Sequence, residues 1–439
     1  MTTHPQACQP DPRLCGTKFD EQSSPSREEI EKLLPKNFAL TAGAMSKKLV
    51  FERHAKTVLS DSQDFAHKLL CTGPTLNLGD ACVYSCQYCY VSAMMWRLLA
   101  PLLKAVNLSH RDIVVRRGNS LQVLENQLRT HAGILRESER RKKHVVFTST
   151  TVDPAGNMEL VKESAELMCR ILEETNWDIR VLSKSNLLPQ LAKLIPDKWK
   201  HRVIYGVSSG TLDDDLARAI EAGTALVSKR LQSLHWLQDN GYRTFGMICP
   251  ALPQTNYDEF AEKICNAIRV EKCEDVWAEG INARGKSFPA TLQALQTAGK
   301  MSEASLLCTV ALPGTQRAEE EYKRQLFLAL AGRIPATKFK FLQYVESPED
   351  HTWWKDQQKN GAVLLGSLVH SKPKKQKNQQ ESVPPQEAAP PELTAAQHAA
   401  KKAWVTKRAK YSAAEISARS KAAAFKAWET RRRNQQMSS

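Results

Sequence analysis

Cys82-Val-Tyr-Ser-Cys86-Gln-Tyr-Cys89 sets three thiols at the spacing C-x3-C-x2-C, a few residues after the short stretch Thr75-Leu-Asn-Leu78. An iron–sulfur cube has four irons and usually four cysteine ligands, so three clustered thiolates with no nearby fourth leave one iron open to another ligand. A structural zinc ion is the competing reading, and it wants four tetrahedral ligands. His67 and His110 lie outside the motif and lack metal-type spacing. The remaining cysteines (Cys8, Cys15, Cys71, Cys169, Cys249, Cys265, Cys273, Cys308) are scattered and read as reduced, mostly buried thiols. A second cluster built from Cys249, Cys265, Cys273 and Cys308 would have no tight spacing to rest on.

Outward from this motif the pattern alternates. Strands are predicted at residues 75–78, 144–147, 178–182, 202–207, 242–249 and 275–278, and helices at 91–100, 158–174, 187–194, 213–241 and 257–270. Such alternation argues for a parallel sheet with helices outside, an α/β chain. Six units fit a partial, TIM-like (β/α)6 barrel, in which functional residues sit on the loops that follow the strands. The cysteine loop follows the first strand, and residues 339–344 supply a later strand candidate.

The cysteine spacing, with the aromatic Tyr88 directly before the third thiol, resembles the radical S-adenosylmethionine (SAM) superfamily. The resemblance implies a [4Fe-4S] cluster on Cys82, Cys86 and Cys89, with SAM bound through its amino and carboxylate groups to the open iron and Tyr88 near the adenine. It also implies a reductant protein such as flavodoxin or ferredoxin. Polar residues follow the next three strands, in Thr148-Ser149-Thr150-Thr151-Val-Asp153, Ser183-Lys184-Ser185 and Ser208-Ser209-Gly210-Thr211. With Ile220-Glu-Ala-Gly223, Lys229-Arg-Leu231 and Pro250-Ala-Leu-Pro253 they resemble the spore photoproduct lyase-like branch over residues 72–284. That likeness implies SAM contacts from Ser149, Lys184 and Ser208. Taken singly, such serines are more often helix caps than ligands, and such a lysine is usually a solvated surface residue. Their joint placement at three successive strand ends favours the cofactor role. Asp153 and Glu279 also end strands and are candidates to face substrate.

One departure limits the likeness. Spore photoproduct lyase has a cysteine at the end of strand two that returns a hydrogen atom to the product radical, and Val145-Val-Phe147-Thr148 has none. Repair of that thymine lesion is therefore not expected. Tyr205 and Cys249 are the alternative donors, each with the competing reading of plain core.

The chain has 439 residues and a formal charge of +15. Residues 371–439 hold 15 Lys and Arg against 5 Glu, so ten of the fifteen excess charges lie there. Nucleic-acid affinity is expected to come from this tail. Two capping-box patterns, Thr394-Ala-Ala-Gln397 and Ser412-Ala-Ala-Glu415, open alanine-rich helical stretches, and the phrase around Trp404 recurs around Trp428. Cations beside an exposed indole suit a nucleic-acid backbone and its bases, although the same tryptophans would also pack two helices together. No apolar run is long enough for a membrane span, and the polar start lacks a secretory core, so a cytoplasmic location is expected.

The expected organisation is a mobile leader over 1–45, a radical SAM core over 46–345 with the cysteine loop at 80–90, a Pro/Lys/Gln-rich linker over 346–392, and the basic helical tail over 393–439. The expected function is a radical SAM enzyme acting on DNA or another nucleic acid in lesion repair or modification, a lyase being one reaction the resemblance allows. RNA, a peptide or a small molecule are alternative substrates, and a non-catalytic iron–sulfur nucleic-acid-binding protein is an alternative from another class.

Overall fold

The computed structural model describes residues 27–45, 48–129, 140–148, 150–282, 287–311, 316–366 and 369. Ser149 and the whole tail, residues 371–439, lie outside the described residues.

Eight parallel strands form the main sheet in chain order: Thr75–Leu76, Val145–Thr148, Asp178–Ser183, Val203–Ser208, Arg243–Ala251, Val276–Gly280, Phe339–Tyr344 and Ala362–Leu365. Leu59–Ser60 adds an antiparallel edge strand beside the first of them. The strand order is linear, so the sheet is an open, partial barrel. Its first six strands are the six read from the sequence. Strand Val203–Ser208 is buried along its whole length, the expected environment for a central parallel strand flanked by others and covered by helices. Helix Met158–Glu174 starts where the Asn157 side chain accepts the Leu160 amide, and its apolar stripe, including Val161, Met168, Ile171 and Leu172, is buried in the main core.

Three expectations need correction. The leader was expected to reach residue 45, yet helix Arg27–Leu33 and strand Phe38–Met45 belong to a second, four-stranded sheet, ordered Phe38–Met45, Lys48–Arg53, Ile113–Arg117, Gly79–Ala81. Ile30, Phe38 and Phe51 give it a core of its own with helix Trp96–Val106. Charge-rich flanks diluted these few apolar residues in the composition. Second, the linker was expected from residue 346, but helix Pro348–Gln357 and strand Ala362–Leu365 continue the fold. Trp354 is fully buried and stacks on Phe341 at 5.6 Å. Third, residues 213–241 read as continuous helical material. The structure breaks them into helices Asp214–Ile220 and Val227–Asp239 around a two-residue strand, Glu221–Ala222.

Candidate functional site

The chain leaves the barrel after Leu76 and crosses into the small sheet at Gly79–Ala81 before it enters the cysteine loop. That loop is tied down from two sides. Ser85 and Cys86 pair antiparallel with Ala222 and Glu221, and the Gln87 amide donates to the Ile220 carbonyl at 2.8 Å. Gly223 follows at φ +87°, a left-handed conformation that glycine adopts at no steric cost, and turns the chain away beside Tyr84. From the small sheet, the buried Lys48 ammonium donates to the carbonyls of Cys82 (3.3 Å) and Tyr84 (3.0 Å).

Cys82, Cys86, Cys89, Tyr88, Lys184 and Ser208 line one cavity, which holds about 1220 Å³ of space counting its open mouth. Burial pushes the Cys82 thiol up to about 12, with the nearby Asp153 carboxylate adding to it. Burial also raises Cys86, helped by Glu221, and raises Cys89. Three half-buried thiols shifted in this direction stay protonated near neutrality until a strong cation joins them, which is what an iron cluster supplies. Among the described residues no three His, Cys, Asp or Glu side chains gather as a site for one metal ion. A cube places no such demand, because each thiolate binds a different iron and the cysteines need only surround a common space. The donor set therefore fits the three-cysteine cluster.

A buried charge network backs the loop. The Glu221 carboxylate receives Lys184 Nζ at 2.9 Å, the Arg230 guanidinium and the Tyr88 hydroxyl. Burial alone would push this carboxyl up, but Lys184 and Arg230 outweigh it and hold Glu221 below the usual carboxylate range. Arg230 also donates to the Ser208 carbonyl at 3.0 Å. Lys184 Nζ further donates to Ser208 Oγ (2.8 Å) and the Cys249 carbonyl (3.1 Å), and lies 5.5 Å from the Tyr88 ring centre. An arriving ligand carboxylate would take over one of these lysine contacts.

Asp153 is a clamp between strand ends. Its carboxylate accepts from Ser183 Oγ and the Lys184 amide, both at 2.7 Å, and from the Ala155 amide at 2.9 Å. So saturated a group orients the loop and the lysine backbone, leaving little for the substrate contact expected of it. Of the two alternative hydrogen donors, Cys249 lines the cavity, whereas Tyr205 is buried in the main core with its ring edge-on to Tyr242. Cys265 and Cys273 are buried in that same core.

Glu221, Arg230 and Lys48 were not singled out from the sequence. Glu221 and Arg230 lie within the stretches 220–223 and 229–231 that carried the family likeness, which was the available signal.

Among solved structures, spore photoproduct lyase complexed with dinucleoside spore photoproduct is similar at 14% identity and a TM-score of 0.40, covering 57% of this chain and 67% of that one. Streptococcus suis SuiB bound to precursor peptide SuiA follows at 11% identity and a TM-score of 0.29, covering 55% and 45%. None of the curated proteins matches. Residues 76–264, which contain all three clustered cysteines and every wall of the charge network, match the family model described as the radical SAM superfamily, and the chain thus carries a radical SAM domain.

Proposed function

We propose that this chain is a radical SAM enzyme acting on DNA or another nucleic acid, with a [4Fe-4S] cluster on Cys82, Cys86 and Cys89 and SAM contacts from Tyr88, Ser149, Lys184 and Ser208. The observation that carries the reading is the shared cavity: the three thiols, Tyr88, Lys184 and Ser208 all open onto it. When bound, the cluster and SAM supply a 5'-deoxyadenosyl radical able to abstract hydrogen from substrate.

The protein's own part is to hold and aim. Lys184 offers an ammonium to the SAM carboxylate, and Ser208, already hydrogen-bonded to Lys184, fixes where that ammonium points. Glu221 holds Lys184 and Arg230 in place through ion pairs and anchors the Tyr88 ring through its hydroxyl. Phe147, in the stretch where spore photoproduct lyase carries its hydrogen-donating cysteine, lines the cavity, which speaks against repair of that lesion by the same route. The nucleic-acid assignment is supported by the ten excess positive charges of residues 371–439.

Anaerobic reconstitution followed by dithionite and SAM tests the enzyme reading. Formation of 5'-deoxyadenosine, abolished together with iron retention in C82A, C86A or C89A, is the expected result. Intact SAM beside a reduced cluster would leave a non-catalytic binding protein instead.

A further inference from the structure

The cavity has a second polar cluster, built from residues other than the three clustered cysteines and the SAM contacts proposed above. Lys68 Nζ lies 3.6 Å from Glu279 Oε2, and Asn282 Nδ2 donates to Glu279 Oε1 at 2.7 Å. All three residues line the cavity. Around them the wall is apolar and aromatic: Phe65 and Phe147 also line it, their ring centres 5.4 Å apart and tilted by 32°, with Lys68 Nζ 6.0 Å from the Phe65 ring centre.

The 3.6 Å separation of the pair is longer than the roughly 2.7–2.9 Å of a strong charge-assisted hydrogen bond, so neither group is locked to the other. Burial would lower the Lys68 ammonium, but Glu279 and the Tyr344 side chain, which also hydrogen-bonds Lys68, outweigh it and hold it above its ordinary range. Cys249 Sγ lies 3.7 Å from Glu279 Oε2 as a further donor. An ammonium carries three donors and a carboxylate about four acceptor sites, so each group keeps capacity for a ligand beyond these partners. Lys68 and Glu279 retain side-chain exposures of 15% and 11% while lining the cavity.

We propose that Lys68, Glu279 and Asn282, with the Phe65–Phe147 wall, form the recognition site for the reacting part of the substrate, and that they take a nucleobase. A base offers adjacent donors and acceptors along one edge, which a lysine, a carboxylate and an amide in a row can read. Its flat face suits the aromatic wall. An aliphatic side chain or small molecule would satisfy one of these surfaces and leave the other unused, and a Tyr or Trp side chain offers a single polar atom where a base offers an edge of several. The proposal rests on the reading that this cavity is the radical site.

The test is anaerobic equilibrium dialysis of the full, reconstituted, SAM-loaded chain without reductant, against the dinucleotides TpT, dCpdC, dApdA and dGpdG. The wild type is expected to retain at least one of them. N282A and E279Q are expected to weaken that binding about tenfold or more while SAM affinity changes less than about twofold. K68M/E279Q removes both charges together and guards against misfolding from a single unpaired charge, and its dinucleotide binding should fall as far. Dinucleotide affinity equal to wild type in these variants, or no dinucleotide retained by the wild type, overturns the proposal. Failure of the underlying reading would look different, because the wild type would then also fail to bind SAM.

Discussion

Replacing Glu221 by glutamine removes the buried negative charge on which two cations, one of them fully buried, converge. Arg230 is fully buried, Glu221 is 3% exposed, and Lys184 Nζ sits 2.9 Å from the carboxylate. Glutamine keeps the volume and one acceptor, so the loss is electrostatic. Breaking a buried pair by neutralising one partner costs about 3–5 kcal/mol, because the other charge stays buried without compensation. A domain of this size shifts its Tm by about 2 °C per kcal/mol, so E221Q should unfold about 6–10 °C below wild type. The effect has a defined pH window. Glu221 is held below its unfolded value, so its contribution is complete above about pH 4.3 and is lost as pH falls through the depressed folded value. The gap between wild type and E221Q should therefore be constant near neutrality and close in acid. Anaerobic thermal unfolding by circular dichroism of both proteins across that range measures it. E221Q/R230M, which removes both charges, should recover part of the loss. A shift under about 1 °C at neutral pH, or a gap that does not narrow in acid, would refute the network as a stabilising element.

K184M should weaken SAM binding by about 10- to 150-fold, the equivalent of one hydrogen bond to a charged group, and S208A by about 2- to 10-fold, both read by anaerobic dialysis against SAM. G210A should destabilise the chain by about 1–3 kcal/mol in denaturant unfolding, because a Cβ there would stand 1.7 Å from the Pro250 carbonyl oxygen and backbone would have to move. Deleting residues 371–439 should remove most salt-dependent DNA affinity, measured by fluorescence anisotropy at two salt concentrations, while 5'-deoxyadenosine formation without substrate stays at the wild-type rate.

The barrel was legible because its strands are short apolar runs separated by strongly amphipathic helices. The Val203–Ser208 strand and the Met158–Glu174 helix follow periodicities that burial then enforces. The second sheet was not legible, because it draws strands from both sides of the cysteine loop and, beyond the local antiparallel pair of Phe38–Met45 with Lys48–Arg53, its pairing is non-local: Lys48–Arg53 lies beside Ile113–Arg117, and Gly79–Ala81 beside that. No local pattern encodes such a partnership. Its tie is the buried Asp80, which receives Arg53 at 2.6 Å and Arg117 at 2.8 Å. On the sequence these three residues look like ordinary surface charges.

The inner face of the site was legible for a different reason from its backing. Three thiols at fixed spacing state their chemistry locally, and a lysine or serine at a strand end is pointed at the cavity by the barrel itself. Glu221 has no such local signature, since it sits in a run of helical composition and helix propensity alone would carry the helix through it. What stops the helix is the pairing of Glu221 and Ala222 with Cys86 and Ser85, followed by the left-handed turn at Gly223. The pairing also puts the carboxylate within reach of Lys184, Arg230 and Tyr88 at once. A single short strand thus fixes the position of a proposed cluster cysteine and the ion-pair partner of a proposed SAM contact. Altering the Glu221 charge while its backbone stays paired should accordingly weaken SAM binding more than iron retention, whereas disrupting the turn at Gly223 should reduce both.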